Sequence, residues 1–76
     1  MFDVLAQQTL EVHVTPVART GMWAVHEGDP SVALSLHFTQ TDALRAATAH
    51  ADESGSERIV IHDRYHRTRS IPAHAA

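Results

Sequence analysis

Cysteine and lysine are both missing from this chain of 76 residues. Without thiols it can build neither a disulfide framework nor a thiolate zinc site, so its small core must hold by packing. Every basic residue is an arginine, which reads first as the codon usage of a GC-rich genome. Aromatics make up 5% of the residues, so the core must come mainly from Val, Leu, Ile and Ala. No run approaches the ~20 apolar residues that span a bilayer. The opening MFDVLAQQTL has neither the basic region nor the apolar core of a secretory signal. The chain is therefore expected in the cytoplasm, with no membrane partner. A formal charge of −3 and a pI near 6.1 argue against non-specific attraction to nucleic acid. There is no phosphate-cradling glycine loop and no strained nucleophile elbow. So thin a core rarely encloses a pocket of several hundred Å³. The expectation is a protein that is not an enzyme, with no catalytic residue and no cofactor.

What is present fits one domain at residues 10–71, with an N-terminal extension (1–9) and a C-terminal tail (72–76). A chain of this length buries only about 60% of the surface exposed when unfolded, and oligomerisation is a common remedy. Leu10 to Thr15 alternates apolar and polar residues, the mark of a half-buried strand, and Pro16 is expected to stop it. After Thr20-Gly21, Met22 to His26 begins a second strand, with Trp23 in the core. Gly28-Asp29-Pro30 signals a turn. Ser31 to Phe38 alternates again, with Val32, Leu34, Leu36 and Phe38 on one face. Short connections between these strands predict an antiparallel meander.

The best-specified stretch is Phe38 to Asp63. Thr39 is placed as an N-cap with Asp42 in the first turn, and Phe38 and Ala43 are spaced like a weak hydrophobic staple. From Gln40 to about Ser54, Ala43, Leu44, Ala47 and Ala51 form a narrow apolar stripe. Gly55 is a natural left-handed stop. Ile59 to His62 follows as a β-rich, nearly apolar strand suited to the sheet centre. Asp63 to His66 turns, and Arg67 to Ile71 offers an edge strand. The expected fold is α+β: an antiparallel sheet of four to five strands in the order β-β-β-α-β, the fifth being that edge strand, with one helix packed on one face.

Several short motifs carry a resemblance. They are His13-Val14-x-Pro16, Gly21-x-Trp23-Ala24-Val25, Thr39-Gln40-x-Asp42-Ala43, Ile59-Val60-Ile61-His62-Asp63-Arg64 and Arg67-x-Arg69. In this order and spacing the chain resembles the small prokaryotic proteins grouped as domain of unknown function 2188, over roughly residues 11 to 71. That family typically has an Asp-Gly turn after the Ile-His strand, where this chain has Tyr65-His66. The resemblance supports the fold and implies no activity, cofactor or site residue.

Strand phase then suggests where a function would lie. If Val12, Trp23, Leu34, Leu36, Ile59 and Ile61 face the helix, His13, His26, His37 and His62 share the other face with Val60. One helix covers one side of a sheet, so this second face is either wet or covered by something else. The leading expectation is an interaction module that self-associates as a homodimer, burying the histidine face or pairing edge strands. The alternative is a nucleic-acid-binding accessory protein using Arg58, Arg64, Arg67 and Arg69, with Tyr65 stacking on a base. The acidic remainder of the chain disfavours it, and a charged edge that deters aggregation explains the same residues. A histidine-based metal protein comes third. The spacings match no zinc motif, so no metal ligand is assigned.

Overall fold

Alternation becomes strand and the alanine-rich segment becomes helix, in the order β1 (Glu11–Val17), β2 (Met22–His26), β3 (Ser35–His37), α1 (Gln40–Ser54), β4 (Arg58–His62) and β5 (Thr68–Pro72). The elements come from a computed structural model that describes residues 11–28, 31–65 and 67–73. The expected N-terminal extension, the turn residues Asp29 and Pro30, His66 and the tail residues 74–76 lie outside the described residues.

The strands form one sheet in the order β3-β2-β1-β4-β5. Three neighbouring pairs are antiparallel, whereas β1 and β4 are parallel. Two hairpin reversals leave β3 running in the direction of β1. The chain then crosses through α1 from the β3 edge and lays β4 beside β1 in that same direction, which is a β-α-β connection. The α+β class and the five strands stand. The wholly antiparallel sheet is corrected to a mixed one.

α1 packs against β1, β2, β3 and β4. Thr39 caps it, with extended backbone angles and Oγ1 accepting from the Asp42 amide at 3.1 Å. Gly55 ends it at φ 74°, a left-handed conformation that costs a side-chain-bearing residue more than glycine. The amides of Gly55 and Ser56 both donate to the Ala51 carbonyl. Ala43, Ala47 and Ala51 are wholly buried, so the helix lies close on the sheet through their methyl groups, with Leu44 packed at the margin. Beneath them sit Val12, Val14, Trp23, Val25, Ile59 and Ile61. Each fully buried Val or Ile contributes roughly 1.5–3 kcal/mol. The staple does not form, because Phe38 is 81% exposed.

Two prolines sit further inside strands than their chemistry suggests. Pro16 does not stop β1, which runs on to Val17. Pairing of β1 with β4 ends at Val14 opposite Ile61, so the missing N–H of Pro16 falls where β1 has a neighbour on one side only. Pro72 lies in the edge strand β5, and Ala73 beyond it is buried in the core, its amide donating to the Glu57 carbonyl at 3.1 Å. The folded unit therefore extends past Ile71.

Candidate functional site

The pairing register decides which side chains share a face. His13 lies opposite His26 across β1 and β2, and opposite Val60 across β1 and β4. His62 is two residues beyond Val60 and so points the same way. His13, His26, His62 and Val60 do share the face away from the helix. His37 does not. It pairs with Trp23, a core residue on the helix side, and its Nε2 lies 2.9 Å from Oγ of Ser35, which points the same way. Leu36 takes the expected place of His37, opposite Ala24 on the histidine face. β3 spans three residues rather than the eight of Ser31 to Phe38, and its phase is the reverse of that expected.

Across β2, β1 and β4 the three imidazoles form a stacked row. The His13 and His26 rings lie 5.0 Å apart and are nearly parallel at 4°, and His13 and His62 lie 5.2 Å apart at 25°. His13 Nδ1 is 3.0 Å from His62 Nε2, and His13 Nε2 is 3.6 Å from the Glu11 carboxylate. One proton arrangement suits all three groups. His13 carries its proton on Nε2, facing Glu11, and His62 donates from Nε2 to His13 Nδ1. Burial, and then the neighbouring His13 charge, hold His62 below the ordinary imidazole range. Oγ1 of Thr15 lies 2.9 Å from His26 Nε2, which fixes the far end of the row. Among the described residues no three His, Asp or Glu side chains are arranged to hold a metal ion.

The arginines of the nucleic-acid alternative do not form one surface. Arg58 opens β4 on the histidine face, opposite Glu11. Arg64 lies beyond the other end of that strand. Its guanidinium sits 5.2 Å from the Trp23 ring centre and donates to the Gly21 carbonyl at 3.2 Å. Arg67 is ion-paired to Asp63 at 3.0 Å and lies over the Tyr65 ring. Arg69, opposite Ile61, takes the helix-side phase. Asp63 holds this turn by hydrogen bonds. Its Oδ1 accepts from the amides of Tyr65 and Arg67, and its own amide donates to the Arg67 carbonyl. These bonds, the Arg67 amide foremost, hold its carboxyl below the usual range although exposed.

Sequence reasoning missed one feature altogether. A half-open crevice of about 550 Å³ lies where β1 and β4 end side by side. From here β1 turns away to β2 and β4 turns the opposite way to β5. Strands that leave a parallel pair in opposite directions open a gap between their C-terminal ends. Pro16, Val17 and Ala18 form an apolar wall, and His62, Asp63 and Arg64 face it. Nothing in the alternation of single strands shows that β1 and β4 end together. The Asp63 turn was the more legible feature, because an Asp opening a turn commonly bonds to amides ahead of it.

Fold and site together define a small α+β domain: one helix on a mixed sheet, an imidazole row on the face away from the helix and a crevice at the parallel strand ends. A family model described as an uncharacterised protein conserved in bacteria, domain of unknown function 2188, matches residues 12–71, and the chain belongs to that family. No curated protein and no solved structure matches the chain. Among the described residues, no helix is long and apolar enough to cross a membrane.

Proposed function

We propose that this domain is a non-enzymatic interaction module that self-associates through its β3 edge. The observation that carries the reading is the contrast between the two edges of the sheet. β5 is guarded: Arg69 and Pro72 lie within it and Arg67 just before it. Charges and proline are what proteins use to keep an edge strand from pairing. The β3 edge has no such guard, because Ser31 to Phe38 contains no charged residue. Its large apolar side chains are also exposed: Val32 by 61%, Leu34 by 44%, Leu36 by 52% and Phe38 by 81%.

A second copy of the chain fits this edge by its own symmetry. An antiparallel pairing of the two Ser35–His37 strands, centred on Leu36, brings Leu36 of each copy together, with the exposed Val32, Leu34 and Phe38 at the flanks of one isologous contact. The histidine face is the poorer candidate for that contact. Its imidazoles already engage one another, and Ala24 and His26 are 5% and 4% exposed within the single chain. Sedimentation equilibrium at high micromolar concentration tests the proposal. A dimer that Leu36→Lys converts to monomer supports it. A wild-type monomer overturns it, and a dimer indifferent to Leu36→Lys moves the interface elsewhere.

A further inference from the structure

We infer that the crevice between the ends of β1 and β4 is a binding site for a small monocarboxylate with a branched or aromatic body. The shape of the site and its charge argue for this separately. The wall of Pro16, Val17 and Ala18 is apolar, and a volume of about 550 Å³ lies within the range of small-molecule sites. Arg64 is the permanent cation among the residues that line it. Its guanidinium is held in place, stacked on Trp23 and bonded to the Gly21 carbonyl. That bond uses one of five N–H donors and leaves a fork for a carboxylate. A side chain fixed in this way loses little freedom when a ligand binds.

The charge count selects a single negative charge. Asp63 also lines the crevice, but its carboxylate is committed to Arg67 and to two backbone amides. One cation beside one already neutralised acid suits a carboxylate, and a doubly charged phosphate would lack a second positive partner. His62 stands at the crevice and is joined to His13, with Glu11 beyond His13 and His26 stacked on it.

Titration of the full-length, isotope-labelled protein by amide NMR tests the site, with isovalerate and benzoate as probes and acetate and inorganic phosphate as comparators. Saturable shifts confined to Val17, Ala18, Gly21, His62 and Arg64 are expected, with a Kd on the order of 1 mM for so few ligand atoms. Acetate, which lacks the apolar body, binds about tenfold more weakly. Arg64→Gln costs about tenfold or more in Kd. Because Arg64 also rests on Trp23, Ala18→Asp serves as the second variant, placed in an exposed turn and predicted to abolish binding with the fold intact. Leu36→Lys leaves the Kd unchanged, which separates this site from the β3 edge. Three results would each overturn the inference: shifts that rise linearly to about 20 mM, phosphate binding as tightly as isovalerate, or a Kd that Ala18→Asp does not alter.

Discussion

At the scale of single residues, His62 and Asp63 stand next to each other and respond to acid for different reasons. His62 has its pKa lowered in the fold, chiefly by burial. The unfolded chain therefore binds more protons than the folded one once pH drops below about 6.5. The stability held by neutral His62 is complete above that value and declines as pH falls toward the folded pKa, below which its contribution is flat. Urea midpoints measured through this window should fall with pH, and His62→Gln should flatten the slope. A slope unchanged in the variant would show that other groups set it. Asp63 is also depressed, mainly by the Arg67 amide bond. Its contribution is present above the unfolded carboxylate range and is lost as pH falls through its own folded pKa. Asp63→Ala should lower the urea midpoint at pH 7, and the gap from wild type should narrow in acid. An equal gap at both pH values would mean that the carboxylate charge plays no part in the turn.

At the scale of elements, α1 is the part most legible in the sequence, because its signals are local. Thr39, Asp42 and Gly55 act within a few residues of their own position, and the structure realises each. The Ala43, Ala47 and Ala51 stripe makes a direct prediction. Those side chains are wholly buried against the sheet, so Ala47→Leu should destabilise by roughly 1–3 kcal/mol through overpacking. Chemical denaturation measures it, and a neutral result would mean that the helix stands off the sheet. The strands were legible only in part. Alternation with a period of two sorts side chains into two sets, but it does not say which set faces the core. For β1, β2 and β4, the apolar set of Val12, Val14, Trp23, Val25, Ile59 and Ile61 made the choice. For β3 the same rule chose wrongly. Leu36 lies on the histidine face and Ser35 and His37 on the helix side, because the backbone bends at Val32 and Leu34 before β3 begins. The histidine row survived that error with three members of four. The crevice was not legible, since strand direction leaves no trace in alternation and it depends on β1 and β4 being parallel.

For the whole molecule, thin packing and an unguarded edge argue together. The core rests on five buried Val and Ile residues, one tryptophan and an alanine-faced helix. Val32, Leu34, Leu36 and Phe38 remain in solvent, although their apolar area is what a domain this small most needs to bury. Pairing β3 with a second copy would cover them and link stability to concentration. Binding that favours the folded state stabilises it by mass action, and a hundredfold rise in concentration amounts to about 2.7 kcal/mol per dimer. Shared between two protomers, and with 4–8 °C per kcal/mol for a domain of this size, the Tm should rise by roughly 5–10 °C. Leu36→Lys should remove that dependence while leaving the dilute Tm almost unchanged, because surface substitutions at exposed positions seldom exceed about 0.5 kcal/mol. Scanning calorimetry at two concentrations decides the matter. A Tm independent of concentration in the wild type would leave the β3 edge unpaired in solution, and the exposed apolar residues would then need a different protein as partner.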